Sequence, residues 1–135
     1  MAWMDEFLTE FGAHVGISGL RWNAQGVIRL AVGPDHLLTL EPVWRRDQQE
    51  VLVSLGRPVG HDAGQRVRIA LARAHAARRA PMSLQLAVGG SGADTRLIAT
   101  TRLPCQGCTP QPLVDAIDRL SRWFDTVMTQ EFPNA

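Results

Sequence analysis

The 135-residue sequence predicts an α+β domain in which an antiparallel sheet carries helices at the start, in the middle and at the end. Apolar residues recur at helical spacing in three separate stretches, while the stretches between them alternate apolar and polar residues. Short turns rich in Gly, Pro and Asn join these alternating runs, so consecutive strands are expected to form hairpins. The predicted order is α-β-β-β-β-α-β-β-α, in a single domain spanning residues 1–135.

The first half of the chain predicts one helix and four strands. The helix is expected from about Met1 to Val15, because its apolar side chains form one stripe and its acids lie mostly off that stripe. Gly16 is typical of the residue at which a helix stops. The strands are expected over Gly19–Trp22, Val27–Val32, His36–Val43 and Glu50–Val59.

The second half predicts a helix, two strands and a last helix. The middle helix is expected from about Asp62 to Arg79 and carries one apolar stripe of Val67, Ala70, Leu71, Ala74 and Ala77. The strands are expected over Met82–Val88, with Met82, Leu84, Leu86 and Val88 facing inward, and over Thr95–Leu103.

The last helix is expected to begin with Thr109 as its cap and Pro110 at its first position. Its buried stripe is predicted to consist of Leu113, Ile117, Leu120, Phe124, Val127 and Met128.

Composition and charge point to an ordinary soluble domain. The net charge is +1, so no strong field draws a polyanion towards the chain. The first residues include the acids Asp5, Glu6 and Glu10, where an export signal would be continuously apolar. No run approaches the ~18 apolar residues of a membrane span, so an intracellular protein without membrane insertion is expected.

The only two cysteines, Cys105 and Cys108, form a C-x-x-C pair ahead of the last helix. A closed zinc site needs four ligands, and neither a second pair nor suitably spaced histidines is present, so no metal is predicted. A redox dithiol is an alternative, because Cys108 lies just before a helix N-terminus, where a thiol is acidified. A plain turn containing Gly107 is the simpler interpretation.

No nucleophile has a recognisable base in this sequence, and the chain is predicted not to be an enzyme. A second alternative is a nucleic-acid or regulator-binding module, which would use an arginine stripe. The candidate arginines are Arg66, Arg73, Arg78 and Arg79, with Arg45 and Arg46 nearby. The nearly balanced charge favours a solvated helix face over such a module.

The first half of the chain has a characteristic spacing of apolar residues and glycines, followed by the alanine-rich middle helix and the amphipathic last helix. The residues that form it are Phe7, Leu8, Phe11, Val15, Gly16, Ile17, Leu20, Gly26, Val27, Leu30, Leu38 and Leu40. This spacing and order of elements, from about Phe7 to Met128, resemble those of the class I type III secretion chaperones. The stretch "GVIRL…LLTLEP" looks most like the small chaperones of gatekeeper proteins and the Hrp accessory proteins.

The resemblance implies a chaperone of the bacterial cytoplasm that has no cofactor and forms a homodimer. Such a chaperone binds an N-terminal segment of a secreted effector or gatekeeper and keeps it secretion-competent. The pI of about 7.9 departs from the acidic character usual in the family, which leaves a heterodimer open. The client-binding residues it suggests are Phe7, Phe11, Leu20, Trp22, Ile28 and Leu30. Its dimer-contact residues are Val67, Leu71 and Ala74.

Overall fold

The described residues form three helices and five strands. The computed structural model describes residues 2–16, 19–23, 26–32, 36–45, 48–60, 63–76, 84–90, 94–104 and 110–129. The elements in chain order are α1 (Ala2–Val15), β1 (Ile28–Val32), β2 (His36–Arg45), β3 (Gln48–Pro58), α2 (Ala63–Ala76), β4 (Gln85–Gly89), β5 (Arg96–Pro104) and α3 (Pro110–Thr129).

The five strands form one antiparallel sheet in the order β1-β2-β3-β5-β4. Hairpins join β1 to β2, β2 to β3 and β4 to β5, while α2 lies in the connection from β3 to β4. The predicted α+β class, with helices at the start, middle and end, is confirmed. Strands β1 and β4 are the two edges of the sheet.

The prediction of a strand over Gly19–Trp22 is wrong, because residues 19–23 belong to no strand. Gly19 has a φ of 73°, which places its backbone in the left-handed region and outside the pleated conformation of a strand. The turn expected after it is present, since the Gly26 N–H donates to the Asn23 carbonyl at 2.9 Å. Strand pairing starts only at Ile28, which lies opposite Leu40.

One face of the sheet is buried under the helices. Alternate residues on the central strands point into this core, including Leu38 and Leu40 on β2, Val51, Val53 and Leu55 on β3, and Leu97 and Ala99 on β5. This alternation is the one expected for an antiparallel sheet with a single covered face.

Helix α3 supplies the largest share of the helical core. Its buried residues are Leu113, Ala116, Leu120, Phe124 and Val127, while Ile117 and Met128 are half-buried against them. Phe124 lies edge-on to Trp123 at a ring distance of 5.1 Å. Helix α3 begins at Pro110, as predicted, and contacts α1, α2, β3 and β5. The Arg57–Asp125 ion pair, at 3.4 Å, also joins β3 to α3.

The face of helix α2 that is buried differs from the predicted one. Ile69 and Ala70 are buried, whereas Leu71 is 56% exposed. An alanine-rich helix offers little difference in apolarity between neighbouring faces, and here the stripe centred on Ala70 packs inward. Arg66 fixes this orientation, because its guanidinium donates to the Val127 carbonyl of α3 at 2.9 Å.

Strand β4 departs from its predicted burial. Leu86 is half-buried against the core, as expected, whereas Val88 is 52% exposed although it points to the predicted side of the sheet. Val88 lies opposite Leu97 and therefore faces the helical side of the sheet. Its exposure follows from its position on an edge strand, where the helices no longer cover the sheet.

Two adjacent threonines of β5 give a matched test of this burial pattern. The Thr101 hydroxyl is buried without a hydrogen-bond partner among the described residues, whereas the Thr100 hydroxyl lies 2.8 Å from that of Ser54. We expect Thr101→Val to raise the free energy of unfolding by up to about 1 kcal/mol. Thr100→Val should lower it by about 0.5–1.5 kcal/mol. Urea denaturation measures both values, and a larger loss in Thr101→Val than in Thr100→Val would contradict the assignment.

Candidate functional site: a groove beside the first helix

A groove lies between the C-terminal half of α1 and the chain segment that follows it. Its cavity volume is about 490 Å³, within the range of about 300–1,000 Å³ that is typical of ligand-binding pockets. The residues that line it are Leu8, Thr9, Gly12, Ala13, Gly16, Gly19, Leu20 and Arg21.

Small residues create the space in this groove. Gly12 and Ala13 present almost no side chain on the groove side of α1, and Gly16 and Gly19 present none. A glycine inside a helix costs roughly 0.5–1 kcal/mol relative to alanine, so Gly12 is unfavourable for the helix alone. These residues keep α1 and the 19–21 segment from filling the gap between them.

The base of the groove is apolar and its rim carries one positive charge. Leu8 is only 2% exposed, and Leu20 packs partly buried against the same core. Arg21 is exposed and is the only charged residue in the lining. The arrangement suits an apolar side chain inserted beside a carboxylate, and the lining contains no group with nucleophilic or acid–base chemistry beyond a threonine hydroxyl.

The predicted client-binding residues fall into two groups. Phe11 and Ile28 are buried in the core, at 1% and 3% exposure. Leu20, Trp22 and Leu30 are half-buried and pack against that core. Phe7 lies on α1, and its side chain is outside the described residues. Only Leu20 of the predicted set lines the groove.

Sequence reasoning missed the small residues that shape the groove. Hydropathy patterns rank residues by apolar surface, which glycine and alanine barely contribute. The available signal was the glycine spacing in "FGAHVGISGL", where Gly12, Gly16 and Gly19 recur three and four residues apart. Such spacing puts the first two on one face of a helix and favours a close approach or an open gap.

The predicted dimer-contact residues lie on α2 with different exposures. Leu71 is 56% exposed, whereas Val67 and Ala74 are half-buried. Val88, on the strand that packs beside α2, is also exposed. The helical side of the sheet therefore ends, at the β4 edge, in two exposed apolar side chains.

The other sequence-predicted features have mixed outcomes. Cys105 and Cys108 lie outside the described residues, as do Arg46, Arg78 and Arg79 of the arginine stripe. Within the described ranges, no three potential metal ligands come together. In that same part of the chain, no helix has the length and apolarity needed to cross a membrane.

The arginine stripe is not a uniform charged surface where the structure describes it. The Arg66 guanidinium is part-buried and donates to the backbone of α3. This use of Arg66 inside the domain favours the interpretation of α2 as a packed helix with a solvated outer face.

Comparison with known proteins identifies the fold from solved structures. No protein-family model and no curated protein matches the sequence. A chain of the HopA1–SchA chaperone–effector complex matches with a TM-score of 0.68 at 16% identity, covering 95% of this chain and 94% of that chain. A chain of the ExsC–ExsE complex matches with a TM-score of 0.65 at 15% identity, covering 99% and 96%. The chain therefore shares its fold with a chain of a chaperone–effector complex and with a chain of the ExsC–ExsE complex.

A third solved structure widens this comparison. YbjN, a candidate transcription regulator from E. coli, matches with a TM-score of 0.58 at 15% identity, over 93% of this chain and 87% of that one. The first two matches confirm the fold class expected from the sequence, whereas the third has the same fold in a protein of a different description, so function has to be argued from the surfaces of this chain.

Gly19 in the groove and Gly64 in α2 form a matched pair that tests the backbone conformation of the groove segment. Gly19 has a φ of 73° with no atom within 4 Å of an added Cβ, so only its conformation opposes a side chain. We expect Gly19→Ala to lower the free energy of unfolding by about 1 kcal/mol. Gly64 in α2 also has open space but a helical backbone, so Gly64→Ala should raise it by roughly 0.5–1 kcal/mol. Thermal unfolding of both variants checks this, and equal effects would contradict it.

Proposed function

We propose that this chain is a secretion chaperone that binds an extended N-terminal segment of a secreted effector or gatekeeper and keeps that segment secretion-competent. The observation that supports it most is the open, apolar groove of Leu8, Gly12, Ala13 and Leu20, placed on a fold shared with a chain of a chaperone–effector complex.

The groove suits a client that has not folded. A folded protein buries its large apolar side chains, so a groove of this kind meets such a side chain mainly on an extended segment. The apolar floor of Leu8 and Leu20 would remove that side chain from water. Arg21 at the rim favours a client segment with an acidic residue next to the inserted one.

The adjacent edge of the sheet supplies a second kind of contact. Among the described strands β1 pairs only with β2, and we propose that the backbone groups on its other side accept an added strand. Main-chain hydrogen bonds to such an edge hold a peptide extended whatever its sequence, and side-chain pockets give specificity. Along the chain, the turn around Asn23 and Gly26 lies between the groove residues and β1, and in this proposal one extended segment uses both.

The proposed mechanism is binding without chemistry. The client segment loses its contacts with water and binds in the groove and along the edge of β1. It is released unchanged when the secretion apparatus competes for it. In this proposal the protein is not an enzyme, needs no cofactor and acts in the bacterial cytoplasm. The Cys105–Cys108 dithiol has no part in it.

The proposal includes a dimer formed through α2. Leu71 is the exposed apolar residue at the centre of the predicted contact, with Val67 and Ala74 beside it on the helix. Val88 extends the apolar surface onto the neighbouring strand. Two copies related by a two-fold axis could bury these side chains against each other.

The groove is tested by filling it. We expect the tagged protein, purified from its native cells, to carry one secreted client that mass spectrometry identifies. Ala13→Trp places an indole in the groove and should reduce the captured client at least tenfold. Thr126→Trp, on the exposed side of α3, is the matched control and should retain it. Undiminished capture by Ala13→Trp would show that the client binds elsewhere.

The dimer is tested by charge insertion. Leu71→Asp should raise the dimer dissociation constant at least tenfold, because a dimer would bury an unpaired carboxylate. Leu37→Asp, at an exposed leucine on the other face of the sheet, should leave the dimer unchanged. Sedimentation equilibrium measures both variants, and a wild-type monomer or an unaffected Leu71→Asp dimer would rule this interface out.

A further inference from the structure

The sheet has a second face, directed away from the helical core, which we call the open face. Strand register places one row of residues across all five strands on this face: Ala31, Leu37, Gly56, Ile98 and Ala87. Every member is apolar, and each comes from a different strand. We call this set the apolar row.

The apolar row crosses the full width of the sheet. Adjacent strands are about 4.8 Å apart, so five strands span about 19 Å, which is the length of roughly 13 helical residues. An ordinary solvated sheet face interrupts its apolar residues with polar ones. The next row on the same face does so, with Arg29, Thr39, Ser54, Thr100 and Gln85.

The described chain leaves four of the five members of the apolar row at least partly accessible. Leu37 is 38% exposed, and Ala31 and Ala87 are exposed at the two edges. Gly56 is buried beneath its neighbours, and an added Cβ there would lie 3.6 Å from Ile98 Cγ1. Gly56 is the only buried residue on the open face within the described ranges, so no described helix covers this face.

Arginines border the apolar row on both sides. Arg29 lies two residues from Ala31 along β1, and Arg96 lies two residues from Ile98 along β5, each about 7 Å from the row. Both are exposed, and neither forms an ion pair with a described residue.

The acidic residues of the open face are more distant. Glu41 is four residues from Leu37 along β2, about 14 Å away, which exceeds the Debye length of about 8 Å at physiological salt. Glu50 is further still along β3. Asp94 precedes β5 and makes no ion pair with Arg96 in the described part of the chain. Arg29 and Arg96 therefore lie nearer to the apolar row than any described acidic residue of the open face, so a partner seated on the row meets these arginines first.

We propose that the open face is a separate docking surface for an amphipathic segment of another protein, one whose apolar side chains are flanked by carboxylates. The apolar row takes the apolar side chains, and Arg29 and Arg96 pair with the carboxylates at its borders. This surface is distinct from the groove beside α1, which lies with the helical core, so one molecule could hold a client and an acidic partner together.

Charge decides between this occupant and two others. A second copy of the chain would bring arginine-bordered rows against each other, and facing like charges oppose association. The phosphates of a nucleic acid would pair with the arginines, but they would make no favourable contact with the apolar row. An acidic amphipathic segment matches both the row and its borders.

The test uses a defined probe. The probe is a fluorescein-labelled 15-residue helical peptide with leucines along one face and glutamates on both flanks, and its twin carries lysines in place of the glutamates. Fluorescence anisotropy with the full chain should give a dissociation constant at least tenfold lower for the glutamate peptide. Leu37→Ser and Arg96→Glu should each weaken that binding at least tenfold, with unchanged thermal unfolding as the folding check.

Three control variants separate the possible outcomes. Leu71→Ser and Arg122→Glu make the same changes on exposed residues of α2 and α3 and should leave binding unchanged. Ala13→Trp should also leave it unchanged, which separates this proposal from the groove. Equal affinity for the two peptides, loss of binding in Ala13→Trp, or a wild-type dimer that dissociates in Leu37→Ser would each overturn the proposal.

Discussion

The packing of α3 against one face of the sheet is the interaction on which the rest of the structure depends. Leu113, Leu120 and Phe124 cover the alternate residues of β3 and β5, and the same helix contacts α1 and α2. Removing these side chains from water provides most of the stabilisation available to a small domain with few described ion pairs. Because the described helices cover only one face, the sheet has an open face and two edge strands within the described residues, and these are the surfaces on which the proposed binding takes place.

At the groove beside α1, the described side chains leave a cavity next to the core. Helix α1 contributes Leu8 and Phe11 to the core, yet its next turn carries Gly12 and Ala13, which cannot fill the space above Leu20. A chain optimised for stability alone would place larger apolar residues there. In the proposed function this volume is the client-binding surface, and a chaperone that must release its client benefits from a shallow contact of this kind.

Sequence patterns predicted the elements that have long, regular signals. The apolar stripe from Leu113 to Val127 predicts α3, and Pro110 predicts the residue at which this helix begins. The strand over Gly19–Trp22 was wrong, because a short β-prone run reveals neither the φ of its glycine nor whether a partner strand is available. The apolar stripe of α2 predicts that Leu71 is buried, but Leu71 is exposed. The faces of an alanine-rich helix differ little in apolarity, so the pattern does not show which face packs inward.

The candidate site was harder to predict than the fold for a physical reason. The core and the groove are lined by the same types of apolar residue, so the hydropathy pattern does not distinguish them. Phe11 and Ile28 are buried in the core, whereas Leu20 lines the groove. The apolar row of the open face was also hidden, since it exists only through strand register and joins residues far apart in sequence.

The central claim is that a client segment binds in the groove and along β1. Hydrogen–deuterium exchange of the free protein and of the complex purified with its client tests this directly. The account predicts new protection of the amides in residues 8–16, 19–21 and 28–32, with the amides of α3 unchanged. Protection confined to other parts of the chain, or none at all, would contradict it.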